Sequence, residues 1–348
     1  MKAALFYGIK DIRVEDVPIP AIGSGDMLIK VHAAAICGTD LRIYGNGHFK
    51  IREGDKRVLS HEVSGEIVEV GANVADYTPG ERVSVIPNIG CGVCSNCRKG
   101  LNQLCPDYDA FGISIDGGFA EYMKIPASAI RGGNVMKLPG SISYDEAVLV
   151  EPLSCCYNSW RALGTHPGDT VLIVGAGPVG ALHVMINRLA GATRLIVADI
   201  SDARLEQVKE FGADIVINSA KQDLAAEISR ITEGEGVSVV ITACSVPAVQ
   251  QQALELAGVE GRINLFGGMP KGKELVTLNT NLIHYKQLRV LGTTGSTVND
   301  YRESMKLAAS GRLKLAGLVS RKFRIEEINE AIAYAASGQG MKTFVCNG

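Results

Sequence analysis

The sequence carries almost no net charge: 35 Lys and Arg stand against 37 Asp and Glu, a balance of −2 over 348 residues. A dedicated nucleic-acid binder needs a basic footprint, so that class is set aside. No stretch approaches the roughly 18 uninterrupted apolar residues that span a bilayer, which sets membrane proteins aside too. The opening residues, MKAALFYGIKDIRVEDV, place Asp11, Glu15 and Asp16 where a signal peptide needs basic and apolar regions. A cytoplasmic protein is expected. Aromatic residues are scarce at 5%, whereas 40 positions are glycine, about 11% where roughly 7% is usual. Hydrophobic residues at 46% and charged residues at 21% exclude a disordered chain. At roughly 100 to 200 residues per domain the length suggests two domains.

What is present falls into two patterns. Up to about residue 150 short strand-like runs (27–34, 63–70, 82–86, 120–125) are broken by Gly and Pro, which predicts an antiparallel β domain with long loops. From Thr170 onward apolar runs (170–174, 194–198, 215–218, 237–243, 262–266, 288–292) alternate with helical stretches such as 179–190, 203–211 and 248–257. Such alternation predicts a parallel, doubly wound sheet. Two more helices, over 300–309 and 325–336, and a terminal strand over 342–346 leave a tail with room to return to the first domain.

The run Gly175-Ala176-Gly177-Pro178-Val179-Gly180 follows an apolar strand and opens a helix, and Asp199 ends the next strand. That is the dinucleotide fingerprint in its working context. Gly175 permits the tight turn, Gly177 lets the backbone approach a pyrophosphate, and Gly180 lets helix and strand pack closely. Amides at the helix start supply donors for the phosphates. Asp199 accepts hydrogen bonds from the ribose hydroxyls and repels a 2′-phosphate, so NAD is expected over NADP. Arg204 is open to three readings: stacking on the adenine, meeting such a phosphate, or lying on a solvated helix face.

Nine cysteines in a reducing compartment point to metal rather than disulfides. Cys91, Cys94, Cys97 and Cys105 form C-x2-C-x2-C-x7-C in a loop setting, matching a closed structural zinc site. An iron–sulfur cluster is the competing ligand set. Elsewhere Cys37-Gly38-Thr39-Asp40 and Ser60-His61-Glu62 stand 24 residues apart, with Glu151-Pro152-Leu153-Ser154 ahead of the nucleotide unit. Singly each has a bland explanation as core or surface. Beside a nicotinamide site they suggest an open zinc site, the Lewis acid that alcohol oxidation requires.

With these motifs, together with Gly117-Gly118-x-Ala120-Glu121-Tyr122 and NLIHYKQL ending at Leu288, the chain resembles the zinc-dependent medium-chain alcohol dehydrogenases, and most closely their polyol (sorbitol or L-iditol) branch. The resemblance implies an α/β protein: a GroES-like β-rich catalytic domain (1–152), a Rossmann NAD-binding domain with a doubly wound parallel sheet (153–292), and a C-terminal return to the catalytic domain (293–348). It implies two zinc ions per chain, the catalytic one held by Cys37, His61 and a carboxylate, either Glu62 or Glu151. It makes Thr39 the hydroxyl beside the reacting oxygen and adds Leu265, Gly267 and Thr293 to the nucleotide contacts. The expected reaction is NAD-dependent oxidation of a secondary hydroxyl of a small polyol or sugar alcohol to a ketose, in a homo-oligomer (tetramer or dimer). A polyol phosphate, met by the basic loop Lys50–Arg57, and L-threonine are the alternative substrates. A non-enzymatic NAD-binding protein is the alternative from another class. One departure stands out: the family often has a proton-relaying histidine five residues after the zinc cysteine, and here that position is Arg42.

Overall fold

The computed structural model describes residues 1–346. The chain divides into two compact units, Met1–Ser154 with Gly295–Gly348, and Cys155–Thr294. Among the described residues no helix is long and apolar enough to cross a membrane.

The first unit is built on a seven-stranded sheet in the spatial order Val135–Lys137, Arg82–Val85, Glu62–Val70, Met27–Ala35, Lys342–Cys346, Val319–Arg324, with Tyr122–Ile125 also paired to Met27–Ala35. Its central strand, MLIKVHAAA, has seven buried residues of nine and so is covered on both faces. The pairs are antiparallel except for Val319–Arg324 with Lys342–Cys346, which run parallel. A second sheet joins Asp11–Asp16, Lys2–Gly8 and Arg57–Val58. Ile29, Ile67, Phe119, Met123 and Ile125, all at most 2% exposed, form part of the core of this unit.

The second unit holds a six-stranded, wholly parallel sheet. Its order is Ile215–Asn218, Arg194–Asp199, Thr170–Val174, Val237–Thr242, Ala257–Asn264, Arg289–Leu291. Numbered along the chain this is 3-2-1-4-5-6, the doubly wound order that puts a switch point beside the first strand. VLIV, LIVA and VVIT are buried without alternation because helices cover both faces.

Two elements differ from the sequence expectation. The strand expected over 262–266 runs over Ala257–Asn264, its start hidden by Gly258, Gly261 and Glu260, which has φ +57°. The helix expected over 325–336 begins as a 3-10 turn, Ile325–Glu327, before Ile328–Ser337 continues as α-helix to a left-handed Gly338.

Candidate active site

Cys37 lies just past the central strand, at the start of the helix Gly38–Asn46. Asp40, in the first turn, is only 2% exposed, and its carboxylate is shared between two segments. Oδ2 accepts from Cys37 N at 2.8 Å and Oδ1 from Ser60 N at 3.1 Å. One buried side chain thus ties together the backbones that carry Cys37 and His61. Burial raises the Asp40 carboxyl above its usual range, against the opposing pull of His61.

Ser60 turns the chain into His61 with φ +74°, in the left-handed region that favours glycine. The segment from Gly117 presses on this turn: Gly118 N donates to Ser60 O at 3.1 Å and Phe119 N to Leu59 O at 3.1 Å. A Cβ on Gly117 would sit 1.9 Å from Ser60 O, so no other residue fits there without moving the turn.

The result is a cluster in which a ligand atom each of Cys37, His61 and Glu62 lie within 4.8 Å of one another. His61 Nδ1 and Glu62 Oε2 are buried without a hydrogen-bond partner, Nδ1 lying 3.8 Å from Asp40 Oδ1. Unsatisfied buried atoms of this kind cost about 1–3 kcal/mol each, and thiolate, imidazole and carboxylate are a zinc donor set that leaves a coordination position open. The residues fit the metal. Burial pulls the His61 imidazole down, but Cys37, Asp40 and Glu151 outweigh it and hold His61 well above its usual value. Glu151, in the first turn of the helix Val150–Leu163, is 7% exposed and stands outside the group of three, near enough for its charge to act on His61. Thr39 is half-buried, and its Oγ1 accepts from Arg42 Nη2 at 3.0 Å.

A second cluster gathers Cys91, Cys94, Cys97 and Cys105, again within 4.8 Å. Amides point at the sulfurs: Cys91 N to Cys105 Sγ at 3.3 Å, Cys94 N to Cys91 Sγ and Cys97 N to Cys94 Sγ at 3.4 Å. Amides of Val93 and Cys94 lower the Cys91 thiol to about 7, whereas burial pushes Cys97 up to about 12. Four such thiols are compatible as thiolates only around a cation.

In the second unit Gly175 has φ +118° and starts the turn before the helix Pro178–Leu189. A Cβ on Gly180 would lie 1.9 Å from Gly175 O, while one on Gly177 would meet nothing nearer than Arg204 Nη1 at 4.0 Å. That open ground over Gly177, under the helix N-terminus, suits a pyrophosphate. Pro178 takes the first helical position, where its missing N–H costs nothing, and Val179 follows. Asp199 is half-buried at the end of its strand; Oδ2 accepts from Ala176 N at 2.7 Å and Oδ1 from Ser201 N at 3.0 Å. Leu265 and Gly267 continue the strand Ala257–Asn264, with Gly267 packed tightly on Cys244 O. Thr293 Oγ1 accepts from the buried Asn264 Nδ2 at 2.9 Å.

Sequence reasoning missed two residues. Asp40 belongs to the Cys37–Asp40 motif, but its role is not visible there because its two backbone partners come together only in the fold. Lys342 was passed over, although a lysine in the buried run KTFV is itself a signal. Its Nζ donates to Glu62 Oε1 at 2.6 Å.

Residues 23–140 match the family model of an alcohol dehydrogenase GroES-like domain, and residues 178–310 that of a zinc-binding dehydrogenase. The sequence is 39% identical to an L-threonine 3-dehydrogenase of Pyrococcus abyssi over 97% of this chain and 95% of that one. It is 35% identical to a sorbitol dehydrogenase of Bacillus subtilis over 96% and 93%. A crystal structure of a zinc-binding dehydrogenase from Sinorhizobium meliloti bound to NADP superposes with a TM-score of 0.91 at 32% identity, covering 99% of each chain. The fold is accordingly a GroES-like domain with a Rossmann-type parallel sheet, and the chain belongs to the zinc-dependent medium-chain alcohol dehydrogenase family of oxidoreductases.

Proposed function

We propose that the protein oxidises a secondary hydroxyl of a small polyol or sugar alcohol to a ketose, using NAD and a zinc ion held by Cys37, His61 and Glu62. The observation that carries this reading is the buried cluster itself, with Glu62 Oε2 left without a hydrogen-bond partner and a further carboxylate, Glu151, close by. When bound, zinc supplies Lewis acidity at the substrate hydroxyl, and the nicotinamide supplies the acceptor for hydride from its carbon.

The remaining roles belong to the chain's own side chains. Arg42 donates to Thr39 Oγ1, which leaves the Thr39 proton to be donated to the substrate oxygen. Arginine stays protonated, so it is no substitute for a relaying histidine. Glu151 is the group placed to accept the hydroxyl proton, because Glu62 is already engaged by Lys342. A hydroxyl beside the reacting carbon gives these carboxylates a donor that a simple primary alcohol lacks.

NAD is preferred in this reading because of Asp199; the NADP in the Sinorhizobium relative is a property of that protein and makes the cofactor comparison a necessary part of the test. The basic loop gives the phosphate-ester alternative little support, since three of its four cations have partners within the chain. Lys50 lies over the Tyr108 ring, Lys56 faces Glu15 at 3.8 Å, and Arg57 pairs with Asp116 at 2.8 Å. L-Threonine remains the second reading, favoured by the 39% identity to a threonine dehydrogenase. NADH formation by the purified protein with sorbitol, xylitol, their phosphates, L-threonine and ethanol, ranked by kcat/KM, tests the order. Sorbitol or xylitol should lead; ethanol or L-threonine ahead of every polyol overturns the reading, and no turnover with any of them leaves the non-enzymatic alternative.

A further inference from the structure

Lys342 is 5% exposed, and its ammonium is among the most deeply buried charges of the first unit. A buried ammonium costs several kcal/mol unless it is well paired. Its partner is Glu62, itself fully buried, at 2.6 Å through Oε1. The backbone fixes this meeting. In register, Ala35 pairs with Glu62 on one side and with Phe344 on the other, and Ile36 N donates to Thr343 O at 2.9 Å. Lys342 is therefore held beside the segment that delivers Cys37, while the other oxygen of Glu62, Oε2, has no hydrogen-bond partner.

A carboxylate left to itself offers a metal either one oxygen or both. Two-oxygen binding would add a fifth donor to a centre that also takes a water or substrate hydroxyl, crowding the position that the hydroxyl needs. We propose that Lys342 is a positioning residue: by holding Oε1 it limits Glu62 to a single ligand oxygen, Oε2, and so keeps the fourth position of the centre open. This rests on the reading that Cys37, His61 and Glu62 hold the metal, and the test separates the two.

The probe is cobalt(II), substituted for zinc in the full chain, because four-coordinate cobalt absorbs visible light more strongly than five-coordinate cobalt. Cys37→Ser is measured first. Binding one cobalt fewer than the parent establishes the centre; binding the same number overturns the metal reading, and the lysine proposal with it. At matched occupancy, Lys342→Met should lower the visible absorption of that centre by about twofold as Glu62 turns to two-oxygen binding, and Lys342→Arg should retain the parent spectrum. An unchanged spectrum per cobalt in Lys342→Met, even with a lowered melting temperature, overturns the proposal and leaves Lys342 a structural ion pair. Should that variant fail to fold, the comparison moves to Glu62→Gln with and without Lys342→Met, where both buried charges are removed together. Lys342 acting only through Glu62 predicts identical spectra for these two, and a difference between them overturns it.

Discussion

Single residues already divide the chemistry. Both oxygens of Asp199 accept backbone amides, so the side chain braces the fingerprint turn, a task separate from the ribose contact proposed for it. Asp199→Ala should narrow the NAD preference by on the order of 10-fold, about 1.4 kcal/mol. Asp199→Asn retains an oxygen for Ala176 N and gives up the charge together with the acceptor for Ser201 N, so kcat/KM with each cofactor in the two variants separates the brace at Ala176 from the charge. A parent enzyme faster with NADP would contradict the assignment. Ser60 has a positive φ, the region that favours glycine. The left-handed conformation costs about 1–2 kcal/mol in a residue with a Cβ, offset in part by the hydrogen bond from Ser60 Oγ to Ala35 O at 3.2 Å. Ser60→Gly should therefore change stability by less than about 1 kcal/mol, whereas β-branched Ser60→Val should lose about 2 kcal/mol or more. Urea unfolding of both variants checks the pair.

Elements differ in how openly the sequence displays them. The strands 170–174 and 215–218 are legible to the residue, because a fully buried parallel strand is a bare apolar run between turns. The helix Val150–Leu163 is not: Glu151 and Pro152 open it, and a polar motif with proline reads as loop, although proline is harmless in a first turn. The four cysteines are legible because local spacing alone brings them together. Cys37, His61 and Glu62 needed two motifs to be joined, and the pairing of Lys342 with Glu62 was out of reach because the contact spans 280 positions. The cysteine segment has little core of its own, Cys105 being the one buried member of the set. Elemental analysis should find about two zinc ions per chain, one for each cluster; one zinc with no iron would remove a site. Cys97→Ser should lower the melting temperature before it lowers turnover per folded molecule, whereas Cys37→Ser should abolish turnover in a chain that still folds. Equal effects of both on both measures would refute the division of roles.

For the molecule as a whole, acid tolerance is set partly by His183 in the second unit. The imidazole is completely buried, edge-on to Phe266, and neither ring nitrogen has a hydrogen-bond partner. Burial lowers it to about 3. Because the unfolded chain takes up the proton first, the contribution of His183 to stability is complete above pH 6.5 and declines as pH falls from there toward 3, by about 1.4 kcal/mol per unit. His183→Leu should flatten the pH dependence of unfolding between pH 7 and 5 relative to the parent, and equal slopes would count against this account.

The pairing of Lys342 with Glu62 also sets an order of events during synthesis. A ribosome adds about 5–20 residues per second, so roughly 15 to 55 s pass between the two residues. Within that interval the whole of Cys155–Thr294 is made and has every strand of its own sheet. The unit begun first is thus the one completed last, and the nascent first unit carries Glu62 without its counter-charge until the final strand is delivered. Stalling translation between residues 294 and 342 would leave a nascent chain in which the second unit has all its parts and the Cys37–His61–Glu62 cluster still lacks the lysine that pairs with Glu62.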